Sequence, residues 1–383
     1  MNIETVPSDI ETRGFSFSGR AGEYFGIWIV NLLLSILTIG IYTAWAKVRR
    51  LRYFYGNTWL DGHNFEYHAK PVQILIGRII VVVVLVVLNL LASVSPLISL
   101  VIIVPYLVGL PWLINKALAF NARMTSYRNI RFGFEGSYGR AFWVFVVLPF
   151  AIPVLFSVVV AAMVFSMDTD LATSTGSEQW VLVAIAALIG IGAILYLLMI
   201  PYISKQTNTY IASRTRFGSA KFEADISLGA LYSNMGLAAL VALGPVIVIG
   251  LLVALSASAF VGASGIGQAI APFIYIAFLV GYLVYAAGVR NIAFNATRLE
   301  GGHQLHSGLS RMRYAWIIIS NLFASVVSIG LLIPWAAVRK WRYLADNTSL
   351  EGPGLERFIA AEEAQGNVTA AEYLDIDGID FGL

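Results

Sequence analysis

Two short stretches carry the residue types best suited to chemistry at a membrane face. Lys47, Arg49, Arg50 and Arg52 lie beside Trp45, Tyr53 and Phe54, and Arg339, Lys340 and Arg342 lie beside Trp335 and Trp341. Clustered cations with interleaved aromatics suit anionic lipid headgroups, each Lys or Arg adding about 1 kcal/mol near a charged surface. The same pattern also serves as topogenic charge with an interfacial aromatic belt. Asn31, Asn89, Asn321 and Gln268 are amide side chains at depth in or beside the apolar runs. The three asparagines are candidates for a polar path, and their plainer role is a hydrogen bond to a neighbouring helix. His63 and His303 each follow a turn glycine, with His68 and His306 nearby. That spacing puts no two on one face of one helix, so hairpin histidines are expected rather than metal ligands. Asp375-Ile-Asp377-Gly378-Ile-Asp380 lacks the closing glutamate of a calcium loop. No phosphate-binding Gly loop, serine elbow, zinc-type His-Glu pair or paired-cysteine string is present. The apolar runs hold no Asp or Glu, and a proton-coupled carrier usually needs a carboxylate there. The chain is therefore not expected to be an enzyme, and no catalytic residue, metal or cofactor is assigned.

The elements that position these residues follow from composition. Of 383 residues, 58% are hydrophobic and 12% charged, where a soluble domain carries about 25% charged. Mean hydropathy is +0.77. A soluble fold has no means of hiding that much apolar surface, so the class is a polytopic membrane protein. The absence of cysteine excludes disulfides and thiolate chemistry. Apolar runs occur at 24–46, 72–94, 97–114, 141–165, 180–203, 236–260, 270–289 and 315–338, most of them near the ~20 residues that cross a bilayer as helix. The first is read as a retained anchor rather than a cleaved signal, because acidic Glu4, Asp9 and Glu11 precede its first arginine.

Between the runs lie four basic segments, 47–71, 116–140, 205–234 and 290–314. Each opens on a basic helix end and continues in short alternating pieces about a glycine turn, as in Thr58-Trp-Leu-Asp61-Gly62-His-Asn-Phe65. They predict short β-hairpins on one membrane face. Self-comparison adds an internal repeat: 24–62 aligns without gaps on 314–352, with Tyr24/Tyr314, Asn31/Asn321, Gly40/Gly330, Trp45/Trp335, Arg49/Arg339, Arg52/Arg342 and Gly62/Gly352 in register. Weaker echoes join Phe15-Ser-Phe17-Ser-Gly19 to Phe132-Gly-Phe134-Glu-Gly136.

Phe15-Ser-Phe17-Ser-Gly19-Arg20 followed by Thr38-Ile-Gly40-Ile-Tyr42-Thr-Ala-Trp45-Ala-Lys47-Val-Arg49 and Arg52-Tyr53 resembles the YjgN-like family of bacterial inner-membrane proteins, over most of the chain. The resemblance implies an inner-membrane location and supplies no catalytic residues. The second copy departs from the string at Leu331-Leu332-Ile333-Pro334.

The positive-inside rule places the basic segments in the cytoplasm. The expected fold is an all-α polytopic bundle with internal repeats and short cytoplasmic β-hairpins. Six helices cross fully, and the first and last runs, broken near Gly40 and Gly330, enter and return as re-entrant segments; eight full spans are the alternative. Residues 1–23 form a cytoplasmic N-terminal segment, 24–352 the repeated transmembrane domain, and 353–383 an acidic, solvated tail. The repeat predicts the two basic clusters at one depth on opposite flanks of the bundle. Two functions compete: a transporter or channel for a small or amphipathic solute, or a non-catalytic lipid-organising protein using the paired clusters. The expected partners are membrane lipids, anionic ones included, and no nucleic acid.

Overall fold

A computed structural model describes residues 10–170, 177–257, 264–356 and 358–360. The polar loop after residue 170, the Gly/Ser stretch at 258–263, the Gln268 side chain and the acidic residues from 361 onward, Asp375–Asp380 among them, lie outside the described residues.

The all-α expectation is overturned by a closed barrel of ten antiparallel strands. The strands are β1 (Glu11–Phe17), β2 (Thr58–Leu60), β3 (His63–Tyr67), β4 (Thr125–Tyr127), β5 (Ile130–Phe134), β6 (Thr215–Phe217), β7 (Ala220–Ala224), β8 (Thr297–Leu299), β9 (His303–Ser307) and β10 (Thr348–Gly352). Strands of three to seven residues are too short to stand out against long helices. Each basic segment contributes one hairpin. The fifth is split, because β10 pairs with β1 at the far end of the chain, Glu11 opposite Gly352.

One pattern is written five times around the ring. Each first strand begins with a threonine, Thr58, Thr125, Thr215, Thr297 or Thr348, whose Oγ1 donates to the carbonyl four residues back at 2.6–2.8 Å. That bond ends the preceding helix and satisfies one of its orphan carbonyls. Two residues on, Leu60, Tyr127, Phe217, Leu299 and Leu350 point inward. Each lies directly across from an apolar residue of the neighbouring strand: Phe15, Phe65, Phe132, Phe222 and Leu305 respectively. The first five are buried in one core cluster and the other five, half-buried, pack against it; a fully buried side chain of this size contributes about 1.5–3 kcal/mol by leaving water.

Ten strands enclose more room than the eight whose own side chains fill the lumen. Here Leu355 and Ile359 are buried in the same cluster, with Phe358 packed against it. The Phe358 ring stacks on Phe217 at 6.1 Å. The solvated tail expected from residue 353 therefore begins instead as a plug of the barrel.

Turn chemistry fixes the hairpins. Asp61 and Gly62 both adopt positive φ, +50° and +74°, in a two-residue turn that suits Asp-Gly. The helices radiate from the barrel as α1 (Ala21–Leu37), α2 (Thr43–Gly56), α3 (Pro71–Ala92), α4 (Pro96–Arg123), α5 (Tyr138–Phe142), a π-helical turn at Trp143–Val147, α6 (Leu148–Asp170), α7 (Ser177–Arg214), α8 (Leu228–Ala257), α9 (Ser264–Asn295), α10 (Arg311–Val327) and α11 (Ile333–Asp346). Six runs among the described residues are long and apolar enough to span a bilayer: 71–92, 101–123, 138–165, 180–214, 228–252 and 271–295. Protein buries only 6–33% of their most apolar windows, so most of each span faces outward.

The first and last apolar runs differ from these six. β1 and β2 belong to one barrel, so α1 and α2 leave and rejoin the same face, as do α10 and α11. Each pair reverses at an Ile-Gly corner, with φ +51° and +88° at Ile39-Gly40 and +52° and +87° at Ile329-Gly330. Gly40 and Gly330 donate to the carbonyls of Ser35 and Ser325, both at 2.7 Å, a wrap typical of helix ends. A β-branched residue with positive φ is strained by about 1–3 kcal/mol. Both isoleucines are also about 95% exposed at the tips (Ile39 95%, Ile329 94%), as suits apolar tips set into acyl chains.

Candidate headgroup site

The two basic clusters lie side by side, not on opposite flanks. Trp341 of α11 packs against Phe54 and Tyr55 of α2, ring centroids 4.9 and 5.9 Å away, and its Nε1–H donates to Thr58 Oγ1 at 2.9 Å. The split fifth hairpin is the cause, since it brings α11 next to β1 and α1. One aromatic seam of Phe17, Tyr24 and Phe54 with Val338 runs between the clusters.

Their members have different surroundings. Arg52 donates from Nε and Nη2 to the carbonyls of Tyr67 and Ala69, both at 3.2 Å. Arg342 donates to the carbonyl of Gly19 at 2.7 Å. Ala69 and Gly19 hold equivalent places after β3 and β1, so both arginines clip a helix end to the chain leaving the barrel. Arg49, Arg50 and Lys340 are exposed; Arg49 lies over the Tyr42 ring at 5.8 Å. Lys47 is half-buried, and burial, then Arg78 and Arg50, push its ammonium below the usual lysine range. Arg78 of α3 donates from Nη1 to Thr43 Oγ1 at 2.6 Å.

Arg339 is the most constrained. Its Nη1 donates to Ser320 Oγ at 2.7 Å and Asn321 Oδ1 at 3.0 Å, and its guanidinium lies 5.1 Å from the Trp335 ring centroid. Asn321 in turn donates to the Ala336 carbonyl at 3.0 Å. In the first copy position 30 is Val where position 320 is Ser. Arg49 turns to Tyr42 instead, and the buried Oδ1 of Asn31 is left without a partner.

Arg339 opens on a cavity of about 310 Å³, whose lining includes Arg313, Trp316, Trp335, Arg342 and Asp346. Among the described residues no carboxylate lies within ion-pair distance of Arg313, Arg339 or Arg342. They meet hydroxyl, amide and carbonyl oxygens and aromatic rings instead, Arg313 lying 5.6 Å from the Tyr343 ring centroid. Among the described residues three cations therefore face one space without an ion pair, and the single carboxylate on its lining is that of Asp346. Burial raises the Asp346 carboxyl above the usual range, Arg342 opposing it. The sequence reading missed Arg313. The signal lay in the repeat, where the residue equivalent to Arg313 is Glu23, so the first copy has a carboxylate where the second has a cation.

The three candidate path residues do not converge. Asn31 and Asn321 are buried inside separate hairpins. Asn89 is exposed on α3, where it donates to the Leu85 carbonyl at 2.8 Å and to Tyr106 Oη of α4 at 3.2 Å. The shallow groove beside it is lined by α3 alone. His63 and His68 contact the Asp61 carbonyl at 2.9 Å and Ser126 Oγ at 2.7 Å. His303 is not a surface residue but is 1% exposed, inside the barrel. No metal-competent group of three His, Cys, Asp or Glu occurs among the described residues.

A family profile described as "Bacterial protein of unknown function (DUF898)" matches residues 12–376. The chain is similar to the protein named "Inner membrane protein YjgN" of Salmonella typhimurium, 27% identical over 373 residues and covering 92% of each chain. It is also similar to the proteins of that name in Escherichia coli O157:H7 and K12, 30% and 29% identical over 222 residues, covering 56% of this chain and 53% of each of those. No solved structure gives a significant match.

Proposed function

The chain belongs to the DUF898 family, whose profile spans nearly all of it, and from that premise we propose that this multi-pass inner-membrane protein is a non-catalytic organiser of anionic lipid. The cavity between α10 and α11 holds the phosphate of a headgroup. One observation carries this reading: Arg313, Arg339 and Arg342 share a cavity of about 310 Å³ and are held there by neutral groups. Guanidinium forks match phosphate geometry, and bracing on Ser320, Asn321 and Trp335 means little freedom is lost on binding. Trp316 and Trp335 suit the headgroup level, while the apolar tips at Ile39 and Ile329 reach toward the acyl chains. Transport fits the geometry less well, because strand side chains together with Leu355, Phe358 and Ile359 fill the barrel lumen.

Native mass spectrometry of the purified protein tests the reading, comparing retained phosphatidylglycerol with phosphatidylcholine. Arg313→Gln with Arg339→Gln should abolish the preference for the anionic lipid, and salt should weaken it in the parent as screening grows. Undiminished preference in that double variant refutes the site. Reconstituted vesicles that pass solute through the parent protein would return the argument to transport.

A further inference from the structure

The plug of the barrel carries a second, separate device. Leu355, Phe358 and Ile359 recur at helical spacing, one apolar face turned into the lumen. Outside the lumen the segment is held by a fork in which Arg128 Nη1 and Nη2 donate to the two carboxylate oxygens of Glu356 at 2.8 and 2.9 Å. Arg13 donates to the Pro353 carbonyl at 3.1 Å.

Directly beneath the plug lies His303. Its ring meets the edge of Phe358 at 5.3 Å between centroids. It is 1% exposed, and neither Nδ1 nor Nε2 has a hydrogen-bond partner. Gly352 approaches Nδ1 so closely that a Cβ there would overlap it, and Gly301 leaves room for the Phe358 ring. A neutral imidazole forgoes one donor and one acceptor contact in this position. An imidazolium would need two acceptors, and neither ring nitrogen has one in hydrogen-bond reach here.

The charged groups around it make no hydrogen bond to the ring. Lys221, Glu223, Arg298 and Glu300 border, with His303, a cavity of about 620 Å³, and Glu300 accepts from the Lys221 backbone N–H at 3.3 Å. Arg13 of β1 is the charge acting on His303. The carboxylates of Glu11 and Asp61 are turned to Arg13, Asp61 at 3.7 Å. Glu356 is taken by Arg128, and His63 lies beyond Tyr127, 6.5 Å from its ring. Burial first, and Arg13 second, lower the affinity of His303 for a proton.

We propose that Leu355, Phe358 and Ile359 form a displaceable plug of the barrel and that protonation of His303 expels them. Withdrawal of Phe358, whose edge covers the ring, admits the water that an imidazolium requires. Expulsion bares the inward ring of Leu60, Tyr127, Phe217, Leu299 and Leu350, converting a sealed core into an apolar mouth. The sign follows from linkage. With the plug seated the proton affinity is depressed; with the plug out it returns toward the ordinary value near 6.5. The seated state is therefore favoured at neutral pH and lost as pH falls, opening rising up to tenfold for each pH unit below about 6.5 until the seated-state value is passed. Arg128 holds the Glu356 carboxyl below its usual range, so the fork persists throughout that interval.

Hydrogen exchange of the amides of residues 355–360 in the purified full chain, corrected for the intrinsic pH dependence of exchange, measures the opening between pH 8 and 5. The expected result is protection that falls with pH in the parent and stays constant in His303→Leu. As a second reading, Ile359→Cys in this cysteine-free chain should react with maleimide faster, relative to an exposed Ala360→Cys control, as pH falls. Protection that ignores pH in the parent overturns the proposal, and so does an equal loss of protection in His303→Leu.

Discussion

Gly288→Ala should destabilise the protein, yet stabilise it once Asn234 has been removed. Asn234 of α8 is 3% exposed. It donates through Nδ2 to the Tyr285 carbonyl of α9 at 3.0 Å, and its Oδ1 accepts from Arg311 Nε of α10 at 3.0 Å. One carboxamide thus knots three helices. A Cβ at Gly288 would overlap that carboxamide, standing 2.6 Å from Nδ2 and closer still to Oδ1. Asn234 must swing away and surrender both bonds. A neutral hydrogen bond contributes about 1 kcal/mol and one to a charged group about 1.5–3 kcal/mol, so the loss is about 2.5–4 kcal/mol. Replacing glycine by alanine within a helix returns about 1 kcal/mol, leaving a net cost of about 1.5–3 kcal/mol. In an Asn234→Ala background the bonds are already gone and the obstruction with them, so the same change should raise stability by about 1 kcal/mol. Thermal unfolding in one detergent, read for the four members of this double-mutant cycle, gives the answer. Equal destabilisation by Gly288→Ala in both backgrounds would refute the reasoning.

Further outcomes follow from the same structure. Gly62→Val should lower stability by about 1–3 kcal/mol, because φ is +74° there and a β-branched residue is strained in that region; unchanged unfolding midpoints would contradict the turn. Thr58→Val should cost more than Thr215→Val, since Thr58 Oγ1 also accepts the Trp341 N–H, at about 1 kcal/mol for each neutral bond lost; equal midpoints in thermal melts would sink that ranking. Binding of anionic lipid should tighten as pH falls through the raised range of Asp346, because protonation there removes a competing negative charge. In Asp346→Asn, titration of lipid retention by native mass spectrometry should be flat.

Much of this architecture is written openly in the chain, and the reason lies in the length scale of each signal. Helical runs of twenty apolar residues and a gapless repeat at 24–62 and 314–352 accumulate evidence over dozens of positions. The barrel does not. Its strands hold three to seven residues each, and none announces that it closes a ring with the others. Threonine followed two residues later by an inward Leu, Tyr or Phe, at 58, 125, 215, 297 and 348, is the sequence signature of that ring. It is visible once the five segments are aligned on the threonine rather than on the glycine turns, whose loops differ in length. The equivalence of Phe15-Ser-Phe17 with Phe132-Gly-Phe134 already marked the N-terminal segment as a second strand lacking its first. The site was half legible for a related reason. Arg339 and Arg342 stood out as a basic run, whereas Arg313 depends on helix pairing and differs from its repeat partner Glu23 in sign.

The seam between β1 and β10 has a kinetic meaning. Four hairpins close over a few residues each, but the fifth joins groups 340 positions apart, as with Arg13 and Pro353. Loop closure scaling as (3/2)RT ln n makes that union about 4 kcal/mol costlier in entropy than a four-residue turn. During synthesis β1 can pair with β2 early, yet its other edge waits for the last strand to emerge. Bilayer insertion lightens the search, because helices already threaded through a membrane present their strands on one plane. Only the ring's circumference then remains to be closed. The ring has no intrinsic starting point, so joining residues near 11 and 352 and cutting at another hairpin turn should yield a permuted chain that folds to the same barrel.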